Sequence, residues 1–213
     1  MLVLLLPLTG VCAATETSAE ELGKLWTESV SAETDMKYDE AVTKIMSFQQ
    51  KGGDKFLAAL RLGWLAYLKA DYKRAAEFYG VASRITPTAL SPLLGMLNVA
   101  QAQADNKATE TVANIIIKEE PSNYRALMVL AGLSYSAGDF RKAHSIYRRV
   151  LFYYPEDTLA ISGTAWAALK LNDRTEAGPL FRRLVSIAPT YPYAQEGYDY
   201  IFSKKTASIQ PKR

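Results

Sequence analysis

Residues 124–157 read YRALMVLAGLSYSAGDFRKAHSIYRRVLFYYPED, and this stretch decides the fold. Two apolar segments flank Asp139, and each is long enough for a short helix. In the second segment Ala143 and Tyr147 lie four residues apart, so they share one face of a helix. Pro155 marks where that helix has to end, because proline cannot donate a backbone hydrogen bond. The stretch therefore predicts two helices joined by a tight turn.

The same arrangement returns every 34 residues along most of the chain. A proline, an aspartate and a small residue recur at this spacing: Pro87, Pro121, Pro155 and Pro189; Asp71, Asp105, Asp139 and Asp173; Ala75, Thr109, Ala143 and Ala177. Aspartate is a favoured N-cap because its side-chain oxygen accepts from free backbone N–H groups. Each aspartate is thus predicted to start the second helix of a unit, and each proline to follow its end. A fixed period of this length is typical of stacked helical repeats.

These positions resemble the tetratricopeptide repeat, a 34-residue helical hairpin with small and aromatic residues at fixed places. The resemblance implies an all-α fold, a right-handed superhelical α-solenoid of stacked helix-turn-helix repeats. The array is predicted over residues 15–204 and ends in a capping helix at 192–204. We expect repeats at about residues 22–55, 56–89, 90–123, 124–157 and 158–191, and a basic tail at 205–213. The units at 90–123 and 158–191 match the pattern less well.

Pro179, preceded by Gly178, interrupts the regular pattern inside the second helix of the last repeat. Proline within a helix removes one hydrogen bond and its ring clashes with the carbonyl four residues earlier. A kink or an opened turn is expected at this point.

Residues 1–14, MLVLLLPLTGVCAA, are apolar and end in small residues. This pattern is typical of a secretory signal peptide and predicts export, with a periplasmic or secreted protein as the result. Two alternatives stay open: a lipid anchor on Cys12, or a cytoplasmic protein if the segment is not a signal. The segment is too short to span a bilayer, and no other apolar run reaches the required length.

Composition and charge argue against a disordered chain and against a nucleic-acid-binding protein. The chain is 49% hydrophobic and 22% charged, which is ordinary for a folded domain. A net charge of +3 does not favour nucleic acid as a partner. His144 is the only histidine and is predicted to face solvent. We find no catalytic motif, no metal-ligand cluster and no cofactor signature in the sequence, so a non-catalytic protein is expected.

The repeat register also predicts two binding surfaces. In the tetratricopeptide fold the first helices of the units line a concave groove, and the resemblance places the following residues there: Leu60, Trp64, Tyr67, Leu94, Asn98, Gln101, Met128, Tyr135, Ser162 and Trp166. Aromatic residues and methionine are frequent in protein interfaces. An alternative is that Trp64 and Trp166 fill gaps between neighbouring hairpins. The leading hypothesis is a scaffold or adaptor that binds a peptide or a helix in this groove.

The second predicted surface is basic and lies on the convex side. Arg148 and Arg149 are one repeat away from Arg182 and Arg183, so the two pairs should be neighbours on successive second helices. An alternative function follows, in which a surface-associated module binds an anionic polymer or lipid in the cell envelope. A solvated helix face explains the same residues without any ligand. The sequence does not identify the partner.

Overall fold

The computed structural model describes residues 18–203, and within that range all regular structure is α-helical. The helices alternate with short turns throughout. Their bounds are α1 Ala19–Thr34, α2 Tyr38–Gln50, α3 Lys55–Leu68, α4 Tyr72–Ile85, α5 Leu90–Ala102, α6 Asn106–Glu119, α7 Tyr124–Ser136, α8 Phe140–Tyr153, α9 Thr158–Lys170, α10 Arg174–Ile187 and α11 Ala194–Phe202. The predicted signal segment 1–14, including Cys12, and the predicted tail 205–213 lie outside the described residues.

The chain divides into two compact units, residues 1–87 and residues 88–213. In the first unit α1 pairs with α2, α3 pairs with α4, and α2 packs on α3. Small residues at the crossings, such as Ala41 and Ala58, are fully buried, and larger ones such as Ile45 and Leu65 fill the remaining space. Each hairpin alone leaves an apolar face exposed, so stacking the second hairpin on the first is what forms the core.

The second unit continues the same alternation with α5–α6, α7–α8 and α9–α10, followed by α11. Successive hairpins pack through α6 on α7 and through α8 on α9. Leu97, Ile116, Leu127, Ile161 and Phe181 are completely buried along this stack. The prediction of an all-α fold built from helical hairpins is confirmed.

The repeating aspartates cap the second helix of four hairpins. The side chain of each accepts a hydrogen bond from the backbone N–H three residues later, at distances of 2.9–3.2 Å. The four caps are Asp71, Asp105, Asp139 and Asp173. The helices they start end two residues before the repeating prolines, as predicted. Local sequence chemistry therefore sets both ends of the second helices.

The turn inside each hairpin has a backbone conformation that was not predicted from the sequence. One residue per turn has a positive φ of 53–80°, and the five positions are 34 residues apart: Met36, Ala70, Ala104, Gly138 and Asn172. At Ala70 the N–H groups of Ala70 and Asp71 bond back to Tyr67 and Ala66, at 2.9 Å each. This pairing is the Schellman arrangement, in which a left-handed residue ends a helix. Glycine and asparagine accept that conformation readily, whereas methionine and alanine do so at a cost.

Aromatic residues of the second helices pack directly against glycines. An added Cβ would lie 2.8 Å from the Tyr79 ring at Gly63, and equally close contacts join Tyr147 to Gly163 and Phe181 to Gly197. The first contact lies within one hairpin, and the other two connect a second helix to the helix that follows it. Small residues thus allow the helices to approach, and the aromatic rings fill the gap.

Helix α10 bears on the predicted kink or opened turn at Pro179. It runs without interruption across Pro179, so no turn is opened there, and the kink stays a prediction. Proline leaves the carbonyl of Thr175 without its usual helical donor, and both residues are exposed. Water can bond to that carbonyl, which keeps the loss of the hydrogen bond small.

The last helix is shorter than the predicted span of 192–204. Helix α11 begins at Ala194, because Tyr193 has a left-handed backbone with φ of 61°. Its apolar side, with Tyr198 and Ile201, packs against the buried core around Phe181. The exposed remainder of α11 closes the end of the second unit, as expected of a capping helix.

Candidate functional site

The second unit contains an open pocket of about 510 Å³ whose lining includes five aromatic residues. This volume lies within the range of ligand-binding clefts in proteins. The pocket is lined by Tyr135, Tyr147, Leu159, Ser162, Gly163, Trp166, Lys170, Tyr191, Pro192, Tyr193 and Glu196. Three of these residues, Tyr135, Ser162 and Trp166, belong to the groove predicted from the repeat register.

Helices α7, α8 and α9 hold the first wall of the pocket in place. The Trp166 ring meets the fully buried ring of Phe181 edge-on, with centroids 5.1 Å apart. Tyr135 makes a similar edge contact with Phe140, also at 5.1 Å. Tyr147 lies against Gly163, where there is no side chain to displace it. These contacts fix the rings before any ligand arrives, which lowers the entropic cost of binding.

The segment Tyr191-Pro192-Tyr193, between α10 and α11, forms another part of the pocket wall. Proline restricts both its own φ and the conformation of the residue before it, so this wall is stiff. The left-handed backbone of Tyr193 is uncommon for a residue other than glycine. Its side chain is 69% exposed at the pocket. A strained residue that also exposes an aromatic ring is a feature often found at functional sites.

Three tyrosine hydroxyls of the pocket, those of Tyr135, Tyr147 and Tyr191, are harder to deprotonate than usual. Burial raises the pKa of Tyr135, Tyr147 and Tyr191 above the ordinary value, since removal from water disfavours the phenolate. None of these three hydroxyls has a hydrogen-bond partner among residues 18–203, and the same holds for the Trp166 indole. They are donors that a ligand can use.

A second pocket, of about 560 Å³, adjoins the first and shares Tyr147 and Leu159 with it. Its lining includes Gln101 and Met128, two more of the predicted groove residues. Together the two pockets give the second unit a surface long enough for several residues of an extended chain.

Other predicted groove residues in the second unit have internal partners. Arg125 donates to the side-chain oxygens of Asn98 and Gln101, so these amides are already engaged. Leu94 is half-buried and packs against the core formed by Leu97, Ile116 and their neighbours. These three positions therefore stabilise the unit as well as bordering its surface.

The predicted groove residues of the first unit form a separate cluster. Trp64 donates its indole N–H to Glu33 at 2.8 Å, and its ring stacks on Tyr67 with centroids 5.6 Å apart. Leu60 is half-buried on the same helix. Glu33 also forms an ion pair with Arg61. Trp64 thus ties α1 to α3, which corresponds to the packing alternative for this tryptophan.

The four arginines of the predicted basic surface each have a partner within the second unit. Arg149 donates to the carbonyl of Pro121 at 2.6 Å, and Arg183 donates to that of Pro155 at 2.8 Å. The Arg148 guanidinium lies 3.8 Å from Glu176, and Arg182 lies over the Phe202 ring, 5.0 Å from its centroid. Two of the arginines therefore connect one repeat to the preceding one. All four guanidinium groups already have a partner within the second unit, so they are less available to a ligand than the sequence suggests.

The prediction that His144 faces solvent is wrong. It is half-buried, not solvent-facing, and its Nε2 lies 2.8 Å from a carboxylate oxygen of Glu176 in the next hairpin. The partner is 32 residues away in sequence, so spacing within one helix gave no indication of it.

Residues 18–203 contain no group of acidic, histidine and cysteine side chains arranged to hold a metal ion. No helix in the same range is long and apolar enough to cross a membrane.

Sequence reasoning missed the wall formed by Tyr191, Pro192 and Tyr193, together with Tyr147, Leu159 and Glu196. The register assigned second helices to the convex side, yet Tyr147 of α8 reaches the pocket past Gly163. The one available signal was the closely spaced pair of tyrosines around Pro192, because an aromatic residue before proline is restricted to extended backbone.

Stacked helical hairpins with aspartate-capped second helices define an α-solenoid repeat protein. Residues 133–192 match the family described as tetratricopeptide repeat. The sequence match to that family is confined to those residues of the second unit. No curated protein sequence matches the chain.

Several solved structures share the fold at low sequence identity. A tetratricopeptide repeat protein from Parabacteroides merdae aligns with a TM-score of 0.70 and 15% identity, over 86% of this chain and 73% of its own. MamA aligns with a TM-score of 0.64 and 14% identity, over 92% of this chain and 100% of its own. YrrB, a tetratricopeptide repeat protein with an unusual peptide-binding site, aligns with a TM-score of 0.63 and 13% identity, over 84% of this chain and 92% of its own.

Proposed function

We propose that the chain is a non-catalytic protein-interaction scaffold that binds an extended peptide in the groove of its second unit. The observation that carries the proposal is the aromatic pocket between α7, α9 and the Tyr191–Tyr193 wall. Tyrosine and tryptophan supply large contact areas at low entropic cost, and they are enriched among the residues that dominate binding energy. The shared fold with YrrB, whose site binds a peptide, supports the same class of ligand.

The arrangement of the pocket also agrees with this function. Trp166 and Tyr135 are held by packing against other rings, so they do not lose freedom when a partner docks. The neighbouring pocket extends the surface past Leu159 toward Met128. A peptide crossing both pockets has apolar surface for its side chains and free hydroxyl donors for its carbonyls.

A selection from a random 12-residue peptide library on the purified chain tests the proposal. Selected peptides are then titrated against the wild type and against Tyr193→Ala, which removes an exposed ring from the pocket. We expect roughly tenfold weaker binding, as removing an aromatic contact residue costs more than 1 kcal/mol at such sites. Phe152→Ala is the matched control, because that ring is 80% exposed and lies outside the pocket. Equal affinity for wild type and Tyr193→Ala would contradict the proposal.

The alternative function, binding of an anionic polymer or lipid through the basic arginines, has weaker support. Arg149 and Arg183 donate to backbone carbonyls, and Arg148 and Arg182 lie next to Glu176 and Phe202. An anion has to compete with those contacts. Export and association with the cell envelope stay predictions, because the leucine-rich residues 1–14 lie outside the described part of the chain.

A further inference from the structure

Resting on the proposed function, we infer that the pocket of the second unit recognises a proline-rich segment in the polyproline II conformation. The inference concerns the chemistry of the peptide, which the fold leaves open. It follows from two properties of the pocket: separated aromatic rings, and several hydrogen-bond donors that have no partner among the described residues.

The rings of the pocket are spaced apart. Trp166 and Tyr135 contact Phe181 and Phe140, respectively, and no ring pair among the pocket aromatics is in stacking or edge contact within the described residues. Tyr193 also lines the pocket and is 69% exposed. Gaps between aromatic rings accept compact apolar side chains, and prolyl rings have that shape without rotatable bonds to immobilise.

The pocket contains several hydrogen-bond donors. The Trp166 indole N–H is donor only, the Lys170 ammonium is donor only, and the hydroxyls of Tyr135, Tyr147 and Tyr191 each carry a proton. The indole and the hydroxyls lack partners among residues 18–203, unlike the Tyr124 hydroxyl, which donates to Asp157 at 3.0 Å. The complementary ligand is therefore rich in acceptors.

A proline-rich backbone satisfies that requirement better than an extended strand does. Prolyl residues have no N–H, and the carbonyls of a polyproline II helix form no internal hydrogen bonds. Each prolyl residue thus offers a carbonyl acceptor and has no N–H donor that needs a partner. A β-strand partner carries as many N–H groups as carbonyls, and those N–H groups need acceptors from the Glu196 carboxylate or from hydroxyl oxygens of the pocket. Unsatisfied N–H groups would penalise that mode.

The stiffness of the wall favours the same ligand. Pro192 and the left-handed Tyr193 hold the wall in one conformation, and a polyproline II peptide is itself preformed. Two preorganised surfaces lose little conformational entropy on association.

Titration with acetylated, amidated decaproline tests the inference, with a (Gly-Ser)₅ peptide of equal length as the reference. We expect decaproline to bind at least about tenfold more tightly than the reference. Trp166→Phe keeps an aromatic ring over Phe181 but removes the indole donor, and we expect about fivefold weaker decaproline binding. Tyr193→Ala should weaken it as well, while Phe152→Ala should leave it unchanged.

The possible results separate the inference from the function on which it rests. If library peptides depend on Tyr193 but contain no excess of proline, and decaproline does not bind, the polyproline inference is wrong and the peptide-binding function stands. Decaproline binding that is unaffected by Trp166→Phe and Tyr193→Ala also overturns the inference. If selected peptides bind equally to all variants, the pocket itself is not the binding site and both proposals fail.

Discussion

Replacement of Ala70 by glycine is expected to stabilise the protein, although glycine usually weakens helical proteins. Ala70 has a φ of 57° at the end of α3, where the N–H groups of Ala70 and Asp71 close the helix. A residue with a Cβ pays about 1–2 kcal/mol in the left-handed region. Glycine avoids this cost, but it also increases the conformational entropy of the unfolded chain, which destabilises the folded state by about 0.4–1 kcal/mol. The net expectation is a free energy of unfolding higher by roughly 0.5–1 kcal/mol.

Urea denaturation followed by circular dichroism measures that change. Ala76→Gly is the control, since Ala76 is also an exposed alanine of the first unit but lies inside α4. Glycine there should lower the free energy of unfolding by about 1 kcal/mol. Opposite signs for the two substitutions support the reasoning. A decrease for Ala70→Gly as large as that for Ala76→Gly would refute it, because the left-handed turn would then not be strained.

Three further predictions concern the capping, packing and titration of particular residues. Ala89→Asp should raise the free energy of unfolding by about 1 kcal/mol in urea, because Ala89 is the N-cap residue of α5 and has no side chain to cap it; no gain would contradict this. Gly197→Ala should lower it by about 1–3 kcal/mol, since the new methyl group would collide with the buried Phe181 ring. An unchanged melting temperature would show that the ring can move. Burial, with a smaller contribution from a neighbouring tyrosine, raises the pKa of Tyr79 to about 12 from 10.0. The hydroxyl deprotonates at lower pH in the unfolded chain than in the folded one, so the free energy of unfolding should decrease as pH rises from 10 to 12. In alkaline urea titrations, Tyr79→Phe should make this decrease smaller by up to about 2 kcal/mol.

The helical hairpins and their ends are predictable because they depend on local chemistry. Aspartate at positions such as Asp139 caps a helix through its own side chain, and proline ends one through a missing donor. These effects act within a few residues and appear in the sequence directly. Their return every 34 residues then indicates the stack.

The site was only partly predictable because it depends on exceptions to the repeat. Tyr135 and Trp166 follow the register, and the pocket contains both. The wall at Tyr193 does not follow it, since a left-handed tyrosine starts α11 later than the pattern suggests. Contacts such as His144 with Glu176 join residues on different hairpins, and sequence spacing within one helix does not show them.

The arginine contacts of the second unit have a mechanical consequence. Arg149 and Arg183 each fasten a second helix to a carbonyl 28 residues earlier, at the end of the preceding repeat. The two contacts lie in series along the chain, so tension applied to its ends acts on both of them. A repeat of 34 residues that unfolds under tension releases roughly 120 Å of extended chain. We therefore expect stretching of the second unit to release chain one repeat at a time, while the remaining hairpins keep their shape.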